Sequence, residues 1–182
     1  MAPQSLESPT RRPDPDETSE DVQLQEPSLT DGPELWRIAR DSKVLDVNSP
    51  YSYALWCRDF ADTSVVARDG GRPCGFVTGY VRPSRPDTFF VWQVAVDDAH
   101  RGQGLARRML DRLGDRLSAR GLRFMEATVT PDNTASEAMF ASFARARGCD
   151  LSREPLFGPE HFPGAGHEPE VLFRIGPFGP AT

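Results

Sequence analysis

Apolar and polar positions along the chain predict a mixed α/β order. Residues 89–96 form an apolar run interrupted by Gln93, which is typical of a strand buried on both faces. From Leu105 to Leu117 the apolar residues recur every three or four positions, which predicts an amphipathic helix. A short turn containing Gly102 and Gly104 joins the two. This strand-turn-helix unit is the best-defined part of the pattern.

Shorter patterns of the same kinds fill the rest of the chain. Residues 22–25 alternate like a strand, and helices are expected from about Pro33 and from Pro50. Residues 65–68 and 74–81 flank a glycine turn and predict a hairpin. A strand over 124–129 precedes a helix that a Thr134-x-x-Glu137 capping box begins and that ends near Gly148. Strands over 149–154 and 170–175 complete the order: strand, two helices, three strands, helix, strand, helix, two strands.

Length and charge limit the classes of function. The chain has 182 residues, 38% of them hydrophobic, and a net charge of −6, which fits one well-buried domain. The acidic balance argues against a nucleic-acid or anionic-membrane binder, and no run is apolar enough for a membrane helix. The cysteines, Cys57, Cys74 and Cys149, are odd in number and widely spaced, so we expect reduced thiols in a cytoplasmic protein.

The first residues differ from the rest of the chain. Residues 1–21 are rich in proline and polar side chains, and Leu6 is their one large aliphatic residue after the initial methionine. Such a segment buries too little apolar area to offset its ordering entropy. We therefore expect a disordered tail over 1–21 and a folded domain over 22–182.

The turn after the central strand can bind phosphate. The first N–H groups of a helix lack internal partners and lie at the positive end of its dipole, and Gly102 and Gly104 leave room for phosphate oxygens to reach them. The turn has neither the G-K-[ST] of a Walker loop nor the three glycines of a dinucleotide fingerprint. Its form is arginine, two residues, glycine, one residue, then alanine or glycine.

This motif and its context resemble the GNAT superfamily of acetyl-coenzyme A dependent N-acetyltransferases. The resemblance implies a single-domain α/β GNAT fold with a mixed central sheet flanked by helices. It also implies that Asn133 contacts the pantetheine arm, although a helix N-cap is an equal reading of that residue. The other cofactor-binding residues implied by the resemblance are Val94 and Val96 for the arm, and Arg101, Gly102, Gln103, Gly104, Leu105, Ala106 and Arg107 for the phosphates.

Four other segments narrow the resemblance. They are DSKVLDVNSPYSY, GRPCGFVTGYVRPSRPDTFFVWQVAVD, EATVTPDNTAS and GHEPEVLFRIGPFG, and they are similar to the L-2,4-diaminobutyrate acetyltransferases, which make the Nγ-acetyl precursor of the compatible solute ectoine. The likeness covers about residues 22–179. It implies acetyl-CoA and diaminobutyrate as substrates, a homodimer, and no metal.

The acceptor pocket must bind a diamino acid. The amine that does not react needs anionic groups, for which Asp41, Asp46 and Glu170 are candidates. The carboxylate needs hydrogen-bond donors, and the candidates are Asn48, Ser49, Tyr51 and Trp92. The alternative is that the two aspartates are turn or helix-end residues and that Trp92 belongs to the core.

Amine attack on a thioester needs a proton acceptor, because an alkylamine with a pKa near 10 is neutral in about one molecule per thousand at pH 7. We expect Glu170, or His167 through water, to take that proton, and a backbone N–H near Val94 to stabilise the oxyanion. Phe140 stands where many GNAT enzymes have a thiolate-protonating tyrosine, so Tyr51 or Tyr53 could replace it or the sulfur leaves as thiolate.

Three other functions stay open at this point. A metal site could form from His161, His167, Glu168 and Glu170. The domain could be a catalytically silent acyl-CoA sensor, which Phe140 would favour. It could also acetylate protein amines or another small amine. A closed small pocket would favour a free amino acid, whereas an anionic surface groove would favour a basic protein tail.

Overall fold

The computed structural model describes residues 22–163 and 167–178. Within these residues the strands and helices follow the predicted order, with short 3-10 turns between some of them. The segment 1–21, for which we expect disorder, lies outside the described residues. The elements are β1 (Gln23–Gln25), α1 (Gly32–Ser42), α2 (Pro50–Asp59), β2 (Val65–Asp69), β3 (Arg72–Val81), β4 (Thr88–Val96), α3 (Leu105–Ala119), β5 (Phe124–Val129), α4 (Thr134–Ala146), β6 (Leu151–Phe157) and β7 (Glu170–Ile175).

The described strands form one mixed sheet in the order β1-β2-β3-β4-β5-β7-β6. Every neighbouring pair is antiparallel except β4 and β5, which run parallel. This confirms the predicted α/β fold with a mixed sheet.

Two local predictions were wrong. The strand predicted over 149–154 is shifted along the chain, because β6 begins at Leu151 and continues to Phe157. Thr134 does not cap its helix. Asn133 is the N-cap and its side chain accepts a hydrogen bond from the Ser136 amide at 3.0 Å, since asparagine is the better cap of two adjacent candidates.

Helices cover the two faces of the sheet unequally. On one face, α3 and α4 bury Leu110 and Phe143 against residues such as Phe89. On the other face, α1 and α2 pack over β2, β3 and β4, where Tyr53 meets Phe76. That second core contains no described residue from β5, β6 or β7. An uncovered region of sheet therefore lies beside α2.

Strands β4 and β5 separate soon after they begin. Their pairing is limited to residues 88–90 of β4 and 124–126 of β5. Further along, the backbone edge of β4 that faces β5 has no strand partner among the described residues. Because unpaired peptide groups need partners, this divergence leaves a cleft that an extended ligand can enter.

A β-bulge changes the direction of the β4 side chains at the start of that cleft. Gln93 pairs with Thr78 and Val91 pairs with Gly79, so Trp92 is an extra residue on β4. Gly79 lies tightly against this bulge. A Cβ at Gly79 would stand 2.4 Å from the Phe90 carbonyl oxygen and 2.2 Å from the Phe89 ring. The bulge places Trp92 and Gln93 on the face covered by α2.

Gly79→Ala should therefore destabilise the fold. The added methyl group has no space, so the bulge or Phe89 must move, and we expect a loss of about 2–3 kcal/mol in the free energy of unfolding. Urea unfolding followed by circular dichroism measures it. Gly32→Ala is the matched control, because a Cβ there meets its nearest atoms at 3.4 Å, an ordinary contact. Equal unfolding midpoints for the two variants would contradict this account of the bulge.

None of the helices in the described ranges has the length and apolar character needed to cross a lipid bilayer.

Candidate active site

The glycine turn forms one side of a cavity at the start of α3. Gly102 and Gly104 have φ values of +76° and +70°, a conformation that glycine adopts without strain. A cavity of about 370 Å³ lies between this turn and α4. It is lined by Val96, His100, Arg101, Gly102, Gly104, Leu105, Ala106, Arg107, Ala138, Met139 and Ser142. The geometry fits a pyrophosphate, since the first amides of a 15-residue helix border the cavity.

Side chains of the turn hold it in shape. The Arg101 guanidinium donates to the Val96 carbonyl at 3.2 Å and pairs with Asp98 at 2.8 Å. Gln103 donates to the Ala99 carbonyl at 3.1 Å. These side chains are engaged with the protein itself, so the groups of the turn that are suited to a phosphate are chiefly its backbone amides. The side chain of Leu105 is buried in the core, which leaves only its amide for this purpose.

Residues from the flanking elements complete the cavity. Arg107 pairs with Asp111 at 2.9 Å and donates to Ser142 at 2.8 Å, which fixes a cation beside the turn. Val94 and Val96 are half-buried on β4, which borders the cleft. Asn133 uses its side-chain oxygen to cap α4. Its amide NH₂ group makes no hydrogen bond within the described ranges and can still donate to a ligand.

An aromatic wall stands on the other side of β4. Trp92 is 46% exposed, and its ring stacks on Trp56 of α2 at 6.0 Å between centroids. Trp56 also stacks on Tyr80, which contacts Phe90. Trp92 is therefore on a surface beside the cleft and not in the core, which was the alternative interpretation of this residue.

Gln93 connects the bulge to the loop that follows α1. The Tyr53 hydroxyl donates to the Gln93 Oε1 atom at 3.1 Å, and Gln93 Nε2 donates to the Asp46 carbonyl oxygen at 2.8 Å. Gln93 is only 7% exposed and Tyr53 is fully buried, so these two members of the chain of hydrogen bonds are fixed in the interior. Burial raises the pKa of the Tyr53 phenol, which keeps it a hydrogen-bond donor. The loop carrying Asp46 is thereby held beside Trp92.

The other candidates near this loop differ in their surroundings. The Asp46 carboxylate is exposed and makes no ion pair in the part of the chain that the structure describes. Asn48 is half-buried and Tyr51 is 71% exposed. Ser49 caps α2, because its hydroxyl accepts from the Ser52 amide at 3.4 Å.

Asp41 is not brought together with these residues. Its carboxylate pairs with Arg40 at 2.8 Å and with Arg37 at 3.6 Å. The neighbouring Arg40 guanidinium lowers the pKa of Asp41. Asp41 lines a different cavity of about 510 Å³, which lies at the carboxyl end of β4 and includes Asp97 and His100. This placement matches the helix-end interpretation of Asp41.

Glu170 and His167 lie at and just before the start of β7. Glu170 is half-buried and pairs by backbone with Phe157, and its carboxylate has no hydrogen bond or ion pair to any described residue. The His167 ring stacks on Phe162 with 3.5 Å between centroids. Its Nδ1 atom lies 2.6 Å from the Glu168 carbonyl oxygen, and because a carbonyl can only accept, Nδ1 is the donor in this contact and the neutral imidazole has Nε2 as its acceptor.

The cysteine thiols are poorly suited to act as nucleophiles. Burial raises the pKa of the Cys57 thiol to about 12, and it also raises the pKa values of Cys74 and Cys149. Phe140 is buried and contacts Phe173. Across residues 22–163 and 167–178, no group of three histidine, cysteine or acidic side chains could hold a metal ion.

Sequence reasoning missed the role of Gln93 and Tyr53 in holding the Asp46 loop. A signal was present, because a glutamine inside an otherwise apolar strand needs buried hydrogen-bond partners. Its partners could not be assigned, since one of them is a carbonyl 47 positions away along the chain.

Comparison with known proteins agrees with the geometry. Residues 29–144 match the model of the acetyltransferase (GNAT) family. An L-2,4-diaminobutyric acid acetyltransferase of Streptomyces coelicolor is 60% identical over 159 residues, which are 86% of this chain and 94% of that protein.

Solved structures give the same result. Diaminobutyrate acetyltransferase EctA from Paenibacillus lautus, in complex with its substrate L-2,4-diaminobutyric acid and coenzyme A, is 41% identical with a TM-score of 0.83. The match covers 88% of this chain and 98% of that one. A phosphinothricin acetyltransferase from Sinorhizobium meliloti shares the fold, with a TM-score of 0.68 at 21% identity over 89% of this chain and 91% of that one. The chain belongs to the acetyltransferase (GNAT) family and, within it, to the L-2,4-diaminobutyric acid acetyltransferases.

Proposed function

We propose that this protein transfers the acetyl group of acetyl-CoA to the γ-amine of L-2,4-diaminobutyrate, which gives the Nγ-acetyl precursor of ectoine. The observation that carries the proposal is the likeness to diaminobutyrate acetyltransferases over more than four fifths of the chain. The cleft between β4 and β5 supports the proposal, because a turn suited to phosphate lies at one end of it and an aromatic wall lies at the other.

The coenzyme lies along β4 in this proposal. The amides of the turn from Arg101 to Ala106 bind the pyrophosphate, and Arg107 adds a positive charge. The pantetheine arm pairs with the open edge of β4 at Val94 and Val96. Asn133 donates to the arm from the start of α4. This arrangement directs the thioester toward the bulge at Trp92.

The acceptor enters from the side of α2 and β7. Asp46 and Glu170 carry carboxylates that make no ion pair with any described residue, which suits an ammonium group. Trp92 adds an aromatic ring near Asp46, and an ammonium beside such a ring gains further attraction. The remaining candidates for polar contacts follow Asp46 along the chain: Asn48 is on the same loop, Ser49 is the N-cap of α2, and Tyr51 lies in the first turn of α2.

Transfer is direct. The neutral γ-amine attacks the thioester carbonyl carbon, the C–N bond forms, the amine proton passes to Glu170 or through water to His167 Nε2, and the C–S bond breaks. A backbone N–H near Val94 stabilises the oxyanion. Because Phe140 cannot donate a proton, coenzyme A leaves as a thiolate, whose ordinary pKa near 8.5 allows this, or takes a proton from Tyr51. Tyr53 is committed to Gln93.

An acetylation panel tests the activity. It compares diaminobutyrate with diaminopropionate, ornithine, lysine and a basic peptide, and product mass spectra locate the acetyl group. A pocket that fixes one end of the amino acid also fixes the distance to the reacting amine, so a change of one methylene should lower kcat/KM by about tenfold or more. Diaminobutyrate should react fastest and at Nγ.

The alternatives predict other outcomes of the same panel. Equal turnover of the peptide would show a protein-modifying enzyme, and turnover of none of the acceptors would show an acyl-CoA sensor. Preference for ornithine or lysine would show that another small amine is the substrate.

We also propose that the protein is cytoplasmic and works as a homodimer, with a folded domain that begins near residue 22. The three cysteines are free thiols, as expected in a reducing compartment. The outermost strand β6 has one open edge, and Leu156 and Phe157 are exposed there, which offers a surface to a second copy. Light scattering coupled to size exclusion would measure the oligomer.

A further inference from the structure

A buried carboxylate with three arginines lies on the same face of the sheet as α2, in the region that no described helix covers. Glu126 on β5 has a side chain with no exposed surface, whereas Arg82 and Arg85 are 32% and 55% exposed. Arg82 Nη1 lies 2.5 Å from Glu126 Oε2, and Arg85 Nη1 lies 3.8 Å from Oε1. Arg174 of β7 pairs with the same carboxylate and covers the Phe124 ring.

The charges in this cluster do not balance. Three guanidinium groups share one carboxylate, so the formal charge is two positive units. Within residues 22–163 and 167–178, Glu126 is the one acidic side chain within ion-pair distance of Arg82, Arg85 or Arg174. A guanidinium presents five N–H donors, and Glu126 contacts Arg82 and Arg85 only at Nη1, so both partly exposed arginines keep donors that Glu126 does not use.

The cluster lies at a suitable distance from the reaction centre. Met125 and Ala127 enter the core beneath α3 and α4, so Glu126 faces the opposite side, as Trp92 does. Glu126 pairs with Phe90, which is two residues before Trp92 on β4. Two residues of strand span about 7 Å. An extended diaminobutyrate measures roughly 6 Å from Nγ to its carboxylate, given bonds of about 1.5 Å.

We propose that Arg82 and Arg85 bind the α-carboxylate of the acceptor amino acid. Glu126 acts as a positioning residue, because its carboxylate anchors the Arg82 guanidinium from the buried side, and Arg174 pairs with that carboxylate. The inference rests on the proposed function and adds to it the group by which an amino acid is distinguished from a simple diamine. With the carboxylate bound in this cluster, the side chain of the acceptor runs along the cleft toward Trp92 and the thioester.

A substrate that lacks only the carboxylate tests this assignment. 1,3-Diaminopropane keeps both amines of diaminobutyrate and the three carbons that join them. The double variant Arg82→Lys/Arg85→Gln keeps a cation beside Glu126 but removes the guanidinium donors that Glu126 does not use. We expect its kcat/KM for diaminobutyrate to fall by about 10- to 100-fold, mostly through KM, because charge-assisted hydrogen bonds to the carboxylate are lost. Its kcat/KM for 1,3-diaminopropane, followed by thiol release, should stay within about twofold of the wild type.

The comparison of two substrates separates recognition from stability. An equal fall for both would show that the arginines support the fold, and an unchanged rate for both would show that the carboxylate binds elsewhere. Either result overturns the assignment. A wild type that fails to acetylate diaminobutyrate would overturn the proposed function itself. Arg120→Gln is the control for the loss of an arginine outside the cluster. Arg120 is partly exposed and pairs with one acid, Asp62, at the far end of α3.

Discussion

Replacing Glu170 with glutamine should lower the turnover of L-2,4-diaminobutyrate by about 100-fold or more, with little change in acetyl-CoA affinity. Glutamine keeps the shape of the side chain but cannot accept the proton of the attacking amine, and general-base groups contribute about 10²- to 10⁴-fold. Glu170 is suited to the role because its carboxylate is half-buried and has no partner among the described residues. Steady-state kinetics and calorimetry with acetyl-CoA measure the two quantities.

The dependence of the rate on pH separates a base from a binding group. As pH falls, protonation of a carboxylate base removes the acceptor and the rate declines. Glutamine has no proton to gain, so the decline due to the base should be lost in Glu170→Gln, and kcat/KM should instead rise with pH over the whole range below 10, as the neutral fraction of the substrate amine does. Loss of a group that only binds the substrate ammonium would instead raise KM and leave kcat and the decline due to the base in place.

Two neighbouring variants serve as controls for Glu170→Gln. Glu168→Gln changes an exposed carboxylate two positions away and should leave the kinetics unchanged. His167→Ala should have a smaller effect than Glu170→Gln if the imidazole acts through water. Wild-type kinetics across pH in Glu170→Gln would contradict our assignment and would make Asp46 the next candidate, because Asp41 is already paired with Arg40 and Arg37.

Local patterns were sufficient to predict the order of elements. The apolar run of β4, the helical spacing of α3 and the glycine turn between them are properties of adjacent residues, so they could be read without tertiary information. The turn also indicated where a phosphate could bind, because a helix start after a buried strand has the same free amides in any fold. Both wrong predictions concern the ends of elements, where competing cap residues and strand pairing determine the boundary.

Contacts between distant segments could not be predicted in this way. The bond from Gln93 to the Asp46 carbonyl and the cluster around Glu126 join residues more than forty positions apart. Asp41 and Asp46 look alike in the sequence, yet one ends a helix beside two arginines and the other lies on a loop that Gln93 holds near Trp92. The pairing of Asp41 is local, because both arginines lie on its own helix, whereas the placement of the Asp46 loop depends on a residue 47 positions away.

The second large effect is expected at the coenzyme turn, where Gly104→Val should weaken acetyl-CoA binding by about 100-fold or more. A branched side chain at φ +70° shifts the turn and stands between the phosphate oxygens and the first amides of α3. Each charge-assisted hydrogen bond lost is worth about tenfold or more in affinity. Calorimetry with coenzyme A measures the change.

Gly121→Val separates the loss of phosphate contacts from simple backbone strain. Gly121 has φ +87°, and a Cβ at either glycine meets no other atom within 4 Å, so the two variants impose a similar strain. Gly121 lies beyond the opposite end of α3, about 22 Å of helix away from the turn. Both proteins should therefore lose comparable stability in urea, while only Gly104→Val loses coenzyme affinity. A folded Gly104→Val that bound coenzyme A as tightly as Gly121→Val would show that the pyrophosphate lies elsewhere, because no phosphate could then depend on the amides at this turn.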